Sequence, residues 1–382
     1  MPNSSQCASR FLFVLVCLIL AGVPGRGQTP ESIVYDIRFG IIEPPIIVQQ
    51  DITVRAATSN QRLEQMPLEC SGLAWYGGNL LISSDRHEHL VFICPIDLDI
   101  MTVGTPTPKI LIRNEQYLLS DIESMTIRRH NGKDTLVLMS SLSNAPDGQP
   151  LPQRRHLFWT DLTSLLSDPF EGSIVNVFSA EPIRRQLEGL FEMIDVSPYY
   201  AWYALQNDNT YRWGNVEGIS FTPAGQTLLC GMRNPLYNEQ AVLFAVAGVP
   251  EATRMLRSET LTVTDLFLLD LGNRGISDLA WDPITQGYLI TAAKSNGPRQ
   301  DPDEPYPPNT LDSALFWWSG HKADPPILIA RIVDMTIEAV CRLGESPYIA
   351  LGSDEGDVSE GRAYRQSILT ILEFRSVPLK SE

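Results

Sequence analysis

Positive charge is scarce in this chain. It has 29 lysines and arginines against 45 aspartates and glutamates, a formal net charge of −16. Binding of nucleic acid rests on a basic face that neutralises phosphates, so nucleic acid is excluded as a partner. The acidity suits cations, and it also keeps a surface apart from other proteins by self-repulsion. Several chemical signatures are missing. There is no Gly-x-Ser-x-Gly elbow, no phosphate-binding glycine-rich loop and no His-Glu-x-x-His pair. None of the six cysteines has Cys-x-x-Cys spacing, which leaves zinc and dithiol chemistry without support.

Long apolar runs are also missing, with one exception. Phe11 to Val23 is uninterrupted, follows Arg10, and is followed by the small residues Gly25 and Gly27. It is too short for a membrane span, which needs about 20 residues. The pattern is that of a signal peptide over residues 1–27, with cleavage before Gln28 and export to the periplasm or beyond. No membrane contact is expected past that segment. Cys70, Cys94, Cys230 and Cys341 remain after it. Each sits in or beside an apolar run, which points to buried thiols; an oxidising compartment would also permit a disulfide, with three pairings open.

What the chain does have is a repeat. Apolar residues make up 43% of it, enough for a sizeable core. A short strand opens on a small or acidic residue, turns, and is followed by a more apolar strand with a polar end. The five copies open at Ser71, Glu123, Glu217, Ser277 and Glu338. Each pair has hairpin turn chemistry, such as Gly77-Gly78-Asn79 and Asn131-Gly132-Lys133. Third strands are expected at 90–94, 157–159, 241–246, 314–318 and 368–374. Fourth strands are expected at 109–112, 174–178, 261–268 and 327–332. Four-stranded units recurring at about 60 residues mark a β-propeller. Five blades are visible, and six are open if the longer interval between Glu123 and Glu217 hides one.

That interval holds an insertion near 181–210, with helical spacing at Leu187, Leu190 and Met193. The last copy lacks a fourth strand. The segment 28–64, which precedes the propeller domain at 65–378, is expected to supply it and close the ring. Low complexity is confined to Pro298–Asn309, read as an exposed loop.

The repeat dictates a site. In each blade the second strand runs antiparallel to the innermost first strand, so it ends where the first begins. Openers and closers therefore meet at one mouth. The closers are Asp85, Asn144, Arg233, Asn234, Lys294, Asn296 and Asp354. Converging carboxylates repel unless something neutralises them. A calcium ion held by Glu123, Glu217 and Glu338 would do so, and so would internal pairing with Arg233 and Lys294. Elsewhere, His87 and His89 are read as a loop past strand two. His130 and His156, with Arg128, Arg129, Arg154 and Arg155, read as solvated turns. Of Trp317 and Trp318, one is expected between blades and the other exposed.

Asn215-Val216-Glu217-Gly218-Ile219, Gly231-Met232-Arg233-Asn234-Pro235, Arg274-Gly275-Ile276, Ser353-Asp354-Glu355-Gly356 and Asp121-Ile122-Glu123-Ser124-Met125 together resemble an uncharacterised bacterial family, the domain of unknown function 3616. The resemblance covers roughly residues 65–375. The blade pattern is also similar to the wider phytase-like and esterase-like propellers, some of which bind calcium. These resemblances imply a propeller and no fixed activity.

Three functions follow. One is a mouth that binds a small-molecule ligand, anionic or otherwise, or a cation through Asp85, Glu123, Asn234, Lys294, Glu338 and Asp354. A second is metal-dependent hydrolysis of phosphate or other esters. There Glu217 is general base or metal ligand, and Arg233 and Lys294 hold an anionic substrate. The third is a non-enzymatic interaction or envelope propeller.

Overall fold

A computed structural model describes residues 35–36, 46–57, 63–87, 89–112, 119–144, 149, 151–167, 173–193, 215–249, 261–293, 312–333, 335–354, 367–374 and 377–378. Their strands form a propeller of five blades. Blade 1 comprises Cys70–Tyr76, Asn79–Ser84, Leu90–Asp97 and Thr107–Ile112. Blade 2 comprises Ile122–His130, Lys133–Ser140, His156–Asp161 and Asn176–Ser179. Blade 3 comprises Val216–Phe221, Leu228–Tyr237, Gln240–Ala247 and Thr262–Leu269. Blade 4 comprises Gly275–Asp282, Gly287–Ala293, Asp312–Trp318 and Ile327–Val333. Blade 5 comprises Ile337–Arg342, Tyr348–Asp354, Ser367–Glu373 and an outer strand from far upstream, Ile46–Asp51.

That outer strand pairs antiparallel with Ser367–Glu373 and ties the N-terminal part of the chain to the last blade. The innermost strands of the blades touch in a closed circle, blade 5 meeting blade 1. The long interval between Glu123 and Glu217 adds no sixth blade among the described residues. It contributes the helix Glu181–Met193, and the remainder of the insertion at 194–210 lies outside them. Ile183 and Leu187 enter the core between blades 2 and 3. Gln186 donates to Leu261 O and accepts from Val263 N, both at 2.9 Å. The helix thereby covers one end of an outer strand whose edge would otherwise be open.

Why the blade strands read as continuous apolar runs follows from packing. Each blade is covered on both faces, so alternation between core and solvent disappears. In Leu80-Leu81-Ile82, Leu80 and Ile82 pack toward blade 5 while Leu81 packs toward blade 2. Five such cores fill the five interfaces.

Buried arginines pin neighbouring blades. Arg342 of blade 5 donates from Nε and Nη2 to Asp282 of blade 4, at 3.0 and 2.5 Å, with both side chains almost wholly buried. Arg128 of blade 2 donates to Gly225 O and Val249 O of blade 3 and lies over the Phe221 ring. Arg155 pairs with Glu181 and Arg154 with Asp121. The expectation of solvated turns at Arg128, Arg154, Arg155 and His156 is corrected here. The arginines take their carbonyl and carboxylate partners from elements distant in sequence, while buried His156 has its Nδ1 3.2 Å from Gln153 O. Trp318 is buried between blades as expected. Trp317 is half-buried rather than exposed, its Nε1 donating to Thr285 Oγ1 at 2.9 Å. The four cysteines are buried free thiols. The loop at 298–309 and the N-terminal apolar run lie outside the described residues, among which no helix is long and apolar enough to cross a membrane.

Candidate functional site at the axial mouth

The five openers share more than a place in the repeat. In every blade the pairing of strands one and two slips by one residue at the same point. The shifts fall between Cys70 and Gly72, Ile122 and Ser124, Val216 and Gly218, Ile276 and Asp278, and Ile337 and Ala339. The extra residue is Ser71, Glu123, Glu217, Ser277 or Glu338 in turn. A bulge breaks the up-down alternation and re-aims one side chain. Here it does so five times around one axis. The next residue is small in four blades, Gly72, Ser124, Gly218 and Ala339. A Cβ on Gly218 would sit 2.8 Å from the backbone of Asp278 and Leu279, so small residues let the inner strands close on one another. In blade 4 Asp278 stands there. It accepts from Leu279 N and, across the blade boundary, from Val340 N, both at 2.8 Å.

All five bulge residues line one cavity of about 110 Å³, together with Cys70 and the closers Asp85 and Asp354. Arg233 bridges it. Its Nη1 donates to Glu217 Oε2 at 2.6 Å, Ser277 Oγ at 2.7 Å and Glu338 Oε2 at 2.8 Å, joining blades 3, 4 and 5. The other oxygen of Glu217 accepts from Asn215 Nδ2, whose Oδ1 in turn accepts from Asn234 Nδ2 at 3.2 Å. Asn234 thus supports the site from behind. Asn144 accepts from Arg155 and does not line the cavity. Lys294 and Asn296 lie outside the described residues.

The expected metal set is not assembled. Among the described residues no three of His, Cys, Asp and Glu converge as a metal cage. Two of the three glutamates, Glu217 and Glu338, are bridged by a guanidinium, which performs the neutralisation a cation would have performed. The residues do not fit a calcium ion at Glu123, Glu217 and Glu338.

The charge is unevenly distributed. Glu217 and Glu338 share Arg233, while Asp85, Glu123 and Asp354 complete the acidic side from blades 1, 2 and 5. Burial, then Asp354 and Glu69, push the Asp85 carboxyl up to about 7, and its Oδ1 is buried without a hydrogen-bond partner. Burial and the nearby Asp121 and Glu217 carboxylates hold Glu123 well above the usual carboxylate range. Burial raises Glu217 to about 8 despite Arg233, and Arg233 is held charged by Glu217 and Glu338 against the cost of its own burial.

One layer of the site lies outside the openers and closers of the repeat. Two residues before the bulge stand Glu69, Asp121 and Asn215. Glu69 pairs with Arg86; Asp121 pairs with Arg154 at 3.0 Å and accepts from Ser141 Oγ. Counting back two positions from each opener would have found them. Their partners have no fixed offset: Arg86 comes from a loop and Arg154 from the short 3-10 helix Pro152–Arg154. His87 lies in the loop after strand two, edge-on to Phe92, and is no part of the mouth.

No family profile matches the chain, and no curated protein matches it. Among solved structures, the β-propeller domain of Cps50 (Swd1) from Myceliophteria thermophila is similar over 85% of this chain and 98% of its own, at 11% identity and TM-score 0.34. A GH43 β-1,3-galactosidase is similar over 85% and 94%, at 8% identity and TM-score 0.41. The Pan2 WD40 domain of Neurospora crassa is similar over 84% and 81%, at 9% identity and TM-score 0.34. The five-bladed assignment rests on the strand pairing described above.

Proposed function

We propose that this is an exported binding propeller of the domain of unknown function 3616 type, whose axial mouth takes a small organic cation such as an ammonium group. The carrying observation is the buried, unpartnered Oδ1 of Asp85 beside Glu123, in a cavity whose described cation, Arg233, is already bonded to three acceptors. An ammonium group fits better than a bare metal ion. It reaches carboxylates through hydrogen bonds of about 2.7–2.9 Å, whereas calcium draws six or more oxygens to about 2.3–2.6 Å. The N-terminal apolar run supports export.

Turnover is the weaker reading. Both oxygens of Glu217 accept hydrogen bonds, so the group first cast as general base is held in place as a positioning residue. The test is calorimetric titration with methylammonium and with calcium chloride. Methylammonium is expected to bind more tightly at pH 8 than at pH 5.5, because it competes with protons for Asp85. Asp85→Asn is expected to weaken it about tenfold. Calcium binding tighter than ammonium binding, or no binding of either, would sink the proposal.

A further inference from the structure

The axial channel has a second, wider end. Where the five innermost strands finish and turn, their hairpins rim a cavity of about 420 Å³, nearly four times the acidic mouth. That volume falls within the range of small-molecule sites, about 300–1,000 Å³. Its chemistry is the reverse of the mouth's. Trp75 and Trp281 stand four residues after their bulges, in blades 1 and 4, and both are half-buried lining residues. Trp281 is fixed edge-on to Tyr288, with ring centres 5.1 Å apart. Among the described residues neither indole N–H has a hydrogen-bond partner, nor does the Thr126 hydroxyl or the exposed guanidinium of Arg129. Indole and guanidinium are donors only.

Two other charged groups line the cavity. Arg342 is fully engaged by Asp282 and Phe374 O. Glu345 is exposed at the rim. The available polar groups are therefore mostly donors, in a cavity lined by two indoles and opposed by one rim carboxylate. A flat ring stacks on indole, and a carboxylate accepts from guanidinium and N–H donors in charge-assisted bonds.

We propose that this end of the channel binds an aromatic carboxylate, with its ring against Trp75 and Trp281 and its carboxylate toward Arg129. The site is separate from the acidic mouth and does not depend on what binds there.

The probe is 2-naphthoate, titrated calorimetrically into the whole protein beside its neutral counterpart, 2-naphthalenemethanol. The carboxylate is expected to bind about tenfold more tightly than the alcohol, from the strength of hydrogen bonds to charged groups. Arg129→Gln should erase that preference. Glu345→Gln should tighten naphthoate a few-fold by removing the opposing charge, and leave the alcohol unchanged. Both positions are exposed, so these variants are expected to fold. Trp281→Leu should weaken both compounds, and Asp85→Asn, at the other mouth, should affect neither. Equal binding of acid and alcohol to the unaltered protein, no binding of either, or an Arg129→Gln protein that keeps the preference would overturn the proposal.

Discussion

One nitrogen of Arg233 holds three blades. Its partners Glu217, Ser277 and Glu338 are the bulge residues of blades 3, 4 and 5. Removing the guanidinium leaves two mostly buried carboxylates without compensation, and breaking such a pair costs about 3–5 kcal/mol. Arg233→Met should therefore lower the free energy of unfolding in urea by about 3 kcal/mol at pH 9, above the value of about 8 to which Glu217 is raised. Adding Glu217→Gln and Glu338→Gln should recover most of it, since the desolvated charges go too. Gly275 is tied to the same spot: a Cβ there would lie 1.9 Å from Arg233 O. Arg233 O is a backbone atom and a Cβ has no rotamer, so no side-chain rotation relieves the clash. Gly275→Ala should cost about 3 kcal/mol by the same urea measurement.

At the scale of elements, the ring depends on a strand that comes first in sequence among the blade strands and sits outermost in the last blade. Ile46–Asp51 satisfies the outer edge of Ser367–Glu373. Without it that edge presents unpaired N–H and C=O groups to other chains. Deleting residues 46–51 is expected to lower Tm by about 5 °C or more, judged against the few degrees that each kcal/mol moves a domain. Concentration-dependent association by size-exclusion chromatography should accompany it. An unchanged Tm and a monomeric profile would show that closure is not needed. Both ends of this pairing were readable in the sequence, because the last copy lacked a fourth strand and the segment 28–64 was expected to supply it. The bulges were not readable. A bulge is a mismatch between two strands, and one strand's sequence carries no mark of it.

For the whole molecule, the mouth makes stability depend on pH. Asp85 is raised from 3.8 to about 7 and Glu217 from 4.5 to about 8. Both carboxyls are thus more protonated in the folded than in the unfolded state between those limits. Their contribution is fully present below about pH 4 and is lost as pH rises through 7 to 8. A ladder of melting temperatures from pH 5 to 8.5 should therefore fall through this window. Asp85→Asn should flatten the part below about pH 7 and raise Tm at pH 8, by about 2 °C. Added methylammonium should restore Tm at pH 8 more than at pH 5.5, because the ligand stabilises the ionised carboxyl.

The sequence by itself determined the ring. Strand order, hairpin turns, the helical insertion and the closing strand follow from local turn chemistry and apolar periodicity, which act over a few residues. It also placed Ser71, Glu123, Glu217, Ser277, Glu338, Asp85 and Asp354 at one cavity, because antiparallel pairing fixes which ends meet. Only the tertiary structure decided how their charges are balanced. Whether Glu338 meets a metal ion or Arg233 depends on ångström distances between blades whose contacting residues are 105 apart in sequence. Coulomb energy and desolvation vary steeply over such distances, and no local pattern encodes them.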